Sequence, residues 1–94
     1  MHATKIRTEI IVKGLVQGVG FRYFVLRKAE ELGVFGFTKN LYTGEVQIIV
    51  EGEKYKIDSF IDAVKIGPIH AQVKSIRVYE KEFRNEFSKF EIRY

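Results

Sequence analysis

The chain has 94 residues, 46% hydrophobic and 30% charged, which fits one folded domain over residues 1–94 and excludes a disordered or fibrous protein. It has no cysteine, so disulfides, thiolate metal sites and a cysteine nucleophile are excluded, and no apolar run approaches the ~20 residues of a membrane span. The net charge of +4 comes from lysines and arginines scattered along the chain; it favours an anionic ligand in a general way, or serves solubility alone.

Lys5 to Lys13 alternates, with Ile6, Thr8, Ile10 and Val12 on one parity, and reads as a half-buried strand. A glycine-rich loop follows from Gly14 to Gly20. Phe21, Phe24, Val25, Ala29 and Leu32 then recur at helical spacing, and Gly33 is a natural terminator. Arg22 falls in the first turn of this helix, where a cation opposes the positive end of the dipole at a cost of ~0.3–1 kcal/mol. That placement makes sense if Arg22 and the helix start face the same anion.

Gly36–Tyr42 reads as a second strand, with Thr38 and Asn40 on one face and Phe37, Lys39 and Leu41 on the other. The turn Thr43-Gly44 joins it to a strand over Glu45–Glu51 that Gly52 should end, forming an antiparallel hairpin. Ile57, Phe60, Ile61 and Val64 give a helical stripe within Glu53–Ile66, stopped by Gly67-Pro68. Ala71–Glu82 is extended, but Val73 and the pair Ile76 and Val78 differ in parity, which predicts a bulge or a late strand start. A charged loop over Glu80–Glu86 precedes a last strand in which Phe90, Ile92 and Tyr94 alternate. The order is βαββαβ with material for one more strand. It predicts an α+β, ferredoxin-like sandwich: two helices on one face of a four- to five-stranded antiparallel sheet, the first and third strands adjacent at its centre.

The inventory of reactive groups is short. His2 and His70 are the two histidines, far apart in sequence, which argues against a bound transition metal. Ser59, Ser75 and Ser88 have no histidine placed to activate them, and no Gly-x-Ser-x-Gly elbow is present. The glycine loop lacks the lysine of a Walker motif and the spacing of a dinucleotide fingerprint. What remains is the loop, Arg22 and neutral polar groups. Read singly, the loop is a tight connection, Arg22 a solvated cation and Asn40 a surface strand residue or a turn-former.

Read together they form a pattern. Gly14-Leu15-Val16-Gln17-Gly18-Val19-Gly20-Phe21-Arg22 resembles the first signature of the acylphosphatase family. Gly36-Phe37-Thr38-Lys39-Asn40, followed by Gly44, Val46 and Gly52, resembles the second. Gly67-Pro68 and the aromatic C-terminus are also similar, so the resemblance covers nearly the whole chain. Thr38 departs from the usual Ala, Val or Cys, and its hydroxyl needs a partner if buried.

The resemblance implies the same ferredoxin-like fold and hydrolysis of a carboxyl-phosphate anhydride to carboxylate and inorganic phosphate. No metal, cofactor or phosphoenzyme is implied. Arg22 would bind the phosphate, with backbone amides of Gln17, Gly18, Val19, Gly20, Phe21 and Arg22 completing the cradle, and Asn40 would hold the attacking water. The expected partner is a small acyl phosphate, with no nucleic acid and no membrane, for a stand-alone, monomeric, cytoplasmic protein. A nucleic-acid-binding module shares the βαββαβ order, but its central strands carry stacking aromatics, and Ile10, Ile11, Val12 and Val46, Gln47, Ile48, Ile49 include none. An anion-binding domain without turnover, or a piece of a larger carbamoyl-transferring protein, are further alternatives.

Overall fold

A computed structural model describes residues 4–94 of the chain, and His2 lies outside them. The elements in order are β1 (Lys5–Leu15), α1 (Phe21–Leu32), β2 (Phe35–Asn40), β3 (Val46–Glu53), α2 (Lys54–Ile66), β4 (Gln72–Lys81) and β5 (Phe90–Arg93). They form a five-stranded sheet in the order β4-β1-β3-β2-β5. The pairs β1–β3, β1–β4 and β2–β3 are antiparallel, whereas β5 runs parallel to β2. This is the ferredoxin-like layout with an added edge strand, and the sheet is mixed rather than wholly antiparallel.

Alternation along the strands decides which face the helices cover. Ile6, Ile10 and Val12 of β1 and Val46, Ile48 and Val50 of β3 are buried. They meet Phe21, Val25 and Ala29 of α1 and Ile57, Phe60 and Val64 of α2 in one apolar cluster. Each buried Ile, Val or Phe side chain contributes about 1.5–3 kcal/mol of transfer free energy, so this cluster is the main favourable term in folding. Gly33 closes α1 with its amide on the Ala29 carbonyl at 2.9 Å, as the sequence predicts. Among the described residues, no helix is long and apolar enough to cross a membrane.

Element boundaries differ from the sequence reading in several places: β2 covers Phe35–Asn40 and not Gly36–Tyr42, so it ends at Asn40, β3 starts at Val46, and β5 ends at Arg93. β1 continues past Lys13 to Leu15, because Gly14 pairs with Val73 and Leu15 with Gln72. Gly52 does not end β3; it pairs with Ile6, and Glu53 with Lys5, so the ladder continues to the start of β1. The parity slip in β4 is a bulge. Lys13 pairs with Ser75 and Gly14 with Val73, which leaves Lys74 as the extra residue and turns Val73 and Ile76 to the same, helix-covered face.

The opposite face carries a buried polar cluster at one end. Glu51 is 2% exposed and Arg7 8%. Arg7 Nη1 lies 3.4 Å from Glu51 Oε2 and 2.8 Å from Glu86 Oε1. The amides of Arg84 and Glu86 donate to the two Glu51 oxygens at 2.7 and 2.8 Å, so Glu51 pins the connection between β4 and β5 onto the sheet. Burial, the largest influence, opposes its charge, but those two amides and the Arg7 guanidinium together hold its carboxyl below the usual range.

Two predictions follow from these burials. A carboxyl depressed in the folded state adds stability above its ordinary value of 4.5 and loses it as pH falls through the lower folded value. Urea unfolding at pH 7 and pH 3 should therefore show a larger acid loss in the wild type than in Glu51→Gln; equal losses would refute this role for Glu51. Thr38 is fully buried and its hydroxyl has no hydrogen-bond partner among the described residues. Thr38→Val should raise stability by about 1 kcal/mol, with Tm rising by roughly 4–8 °C, and a lower Tm would mean the hydroxyl is satisfied.

Candidate active site

Three carboxyl strand ends meet at one end of the sheet. β1 and β2 flank the antiparallel β3 and therefore run parallel to each other, and β5 is parallel to β2. The loop Val16–Gly20, the end of β2 at Asn40 and the C-terminal residue Tyr94 thus lie together. They line one cavity of about 210 Å³, whose walls include Gly18, Gly20, Phe21, Arg22, Asn40 and Tyr94.

The loop is built by anchoring and by backbone geometry. Val16, 1% exposed, belongs to the core and fixes the loop's start. Gly18 and Gly20 have φ of 74° and 76°, in the left-handed region, where a side chain would add strain even though no atom lies within 4 Å of either added Cβ. Gly20 is the N-cap of α1, so the turn delivers the chain directly into the helix. Among the described residues, the amides of Gln17, Gly18, Val19 and Gly20 donate to no other protein group. No side chain caps α1, and its first turn holds no acidic residue. The result is a concentration of unpaired donors at the positive end of a helix dipole.

Arg22 adds a full charge to that end. It is half-buried, and among the described residues it pairs with no carboxylate. Its Nη1 donates to the Arg93 carbonyl at 3.4 Å, and its guanidinium carbon sits 4.8 Å from the centre of the Tyr94 ring. These are neutral partners; they orient the guanidinium without cancelling its charge.

Asn40 ends β2, opposite Val46 in the β2–β3 ladder. Its Oδ1 is buried and has no hydrogen-bond partner among the described residues. An unpartnered acceptor beside a cluster of unpartnered donors makes a polar cavity that can satisfy a ligand carrying both hydrogen-bond acceptors and a donor.

The site residues expected from the sequence divide as follows. Gly18, Gly20, Phe21, Arg22 and Asn40 share the cavity. Gln17 borders the adjoining cavity of about 570 Å³, which also touches Asn40 and Tyr94. Val19 packs its side chain against the apolar core. Sequence reasoning missed Tyr94 as a wall of the site. The signal was the alternation of Phe90, Ile92 and Tyr94; Tyr94 follows directly after β5, is 93% exposed, and meets the site at the Arg22 guanidinium. It also missed the Gln17 side chain, whose Nε2 donates to the carbonyls of Leu41 and Glu45, each at 2.9 Å. Among the described residues, no group of three or more His, Asp or Glu side chains is arranged to hold a metal ion.

Similarity to known proteins agrees with this geometry. A family model described as acylphosphatase matches residues 8–92. The chain is 48% identical over 89 residues to an acylphosphatase of Archaeoglobus fulgidus, covering 95% of this chain and 99% of that protein. It is 46% identical over 81 residues to one of Moorella thermoacetica, covering 86% and 87% respectively. The crystal structure of acylphosphatase from Bacillus subtilis superposes with a TM-score of 0.92 at 40% identity, over 95% of this chain and 99% of that one. Full-length HypF in its phosphate- and nucleotide-bound form also superposes, with a TM-score of 0.86 at 31% identity; 99% of this chain matches 12% of that one. Matched in this way over nearly its whole length, the chain belongs to the acylphosphatase family.

Proposed function

We propose that the cavity binds the phosphoryl group of an acyl phosphate and that a water held by Asn40 attacks its phosphorus directly. The observation that carries this reading is the joint placement of Arg22, the unpaired loop amides and the unpartnered Asn40 Oδ1 in one cavity. The planar guanidinium of Arg22 matches two phosphate oxygens, and the amides of Gln17 to Arg22 surround the group with donors. Asn40 Oδ1 accepts one hydrogen bond from water and orients a lone pair at phosphorus. An amide does this without placing a second negative charge beside the phosphate.

The bond between phosphorus and the acyl oxygen breaks, and its electron pair leaves on the carboxylate. A carboxylate is a good leaving group, so no general acid is needed. The water oxygen bonds to phosphorus, and its proton passes to a phosphate oxygen of the substrate. Positioning and charge stabilisation carry the rate, as in other phosphoryl transfers. On this reading the reaction needs no metal and no enzyme nucleophile, and a monomer contains every group required.

The superposition on part of HypF favours one alternative, in which the same unit serves as an anion-binding module of a larger assembly. Turnover separates the two. Benzoyl phosphate should be hydrolysed by the isolated chain at the same rate with and without a chelator. Arg22→Ala should abolish hydrolysis while circular dichroism stays native. Asn40→Ala should raise the barrier by about 2.7–4 kcal/mol, by analogy with the loss of one preorganised transition-state hydrogen bond. Full activity in either folded variant would overturn these roles.

A further inference from the structure

We infer that Gln17 is a positioning residue: its side chain sets the separation between the phosphate-binding loop and Asn40. The inference rests on the function proposed above and adds a residue that touches neither phosphate nor water with its side chain. Both N–H groups of the Gln17 carboxamide are used, one on the Leu41 carbonyl and one on the Glu45 carbonyl, each at 2.9 Å. Leu41 directly follows Asn40, and Glu45 directly precedes Val46, the ladder partner of Asn40. The carboxamide therefore grips both strands of the hairpin one residue beyond the Asn40–Val46 pair.

Among the described residues, these are the hydrogen bonds by which Gln17–Gly20 reaches β2, β3 or their turn. Two carbonyls converging on one nitrogen require a planar NH₂ group. A carboxylate has no donor to offer, and a thioether has neither donor nor charge. The turn does not depend on Gln17 for its own closure. Leu41 N–H donates to the Glu45 carbonyl at 2.9 Å and Gly44 N–H to the Leu41 carbonyl at 3.1 Å. Gln17 is also only half-buried and lies outside the apolar cluster, so its loss leaves the core packed.

The consequence is specific. Arg22 and the loop amides belong to one segment and move together, so a released loop still holds phosphate. Asn40 belongs to another segment, so the water it holds is then misaligned with phosphorus. A misplacement near 1 Å is enough to cost ~10²-fold in rate. Loss of Gln17 should thus act on kcat while leaving the affinity for phosphate intact.

The test uses Gln17→Glu and Gln17→Met in the full chain, each also combined with Asn40→Ala. kcat for benzoyl phosphate should fall about 10–100-fold in both variants, while in Gln17→Met, which adds no charge beside the anion, the inhibition constant of inorganic phosphate stays within about twofold of the wild type. In the Asn40→Ala background, either Gln17 substitution should cost less than about threefold, because the residue it positions is gone. If Gln17→Glu fails to fold, Gln17→Met gives the kinetic readouts without an added charge. Unchanged kcat, a parallel loss of phosphate affinity in Gln17→Met, or multiplicative losses in the double variants would overturn the inference while leaving the proposed function standing. A wild type that hydrolysed no acyl phosphate would overturn both.

Discussion

The structure depends on β3 being inserted, antiparallel, between β1 and β2. Two parallel strands separated by one intervening strand lie about 10 Å apart, twice the spacing of neighbouring strands. Their carboxyl ends are then at the same end of the sheet, one leading into the glycine loop and the other ending at Asn40. The 12-residue α1 makes the return crossing and begins at that same end, so its N-terminus and Arg22 are part of the arrangement. β5, parallel to β2, adds Tyr94. A phosphoryl group and one water fit within such a span. The apolar cluster under the helices is what keeps the strand order, and hence this spacing, fixed.

Two arginines in the same molecule sit in contrasting electrostatic environments. Arg7 is buried, with Glu51 and Glu86 within 3.4 Å, and its charge is neutralised within the fold. Arg22 is half-buried, leans on an aromatic ring and a carbonyl, and faces an uncapped helix start. Both the helix dipole and the missing acid make its position unfavourable without an anion. The proposed phosphoryl group supplies that anion and gives the unpaired amides their acceptor. The same local cost also explains why the loop is glycine-rich, since any side chain at Gly18 or Gly20 would add backbone strain to a segment already unsatisfied.

Much of this was legible in the sequence because it is local. Helix stripes and strand alternation follow from spacing alone, and the parity slip in β4 left a bulge or a late start, which the register resolves as a bulge at Lys74. Arg22 at a helix start after glycines, and Asn40 in the second strand, stood out as a pair through the two family-like motifs, although the sequence carried that strand past Asn40 to Tyr42. What escaped the sequence is long-range. The parallel pairing of β5 with β2 has no local signal, and neither does the closure of Glu51 by amides more than thirty residues away. The Gln17 side chain was passed over because only its backbone was expected to matter, and its two acceptors lie 24 and 28 residues along the chain. Tyr94 followed from alternation, yet its meeting with Arg22 needed the strand order. Thr38 was noted as a departure, and its buried, unpartnered hydroxyl is the physical content of that departure.

The central claim is that the cavity holds a phosphoryl group so that water attacks phosphorus and not the acyl carbon. Hydrolysis of benzoyl phosphate by the wild-type chain in ¹⁸O-labelled water, followed by mass analysis of both products, tests it most directly. The account predicts one labelled oxygen in inorganic phosphate and none in benzoate. Label in the benzoate would place the attack at carbon and contradict it.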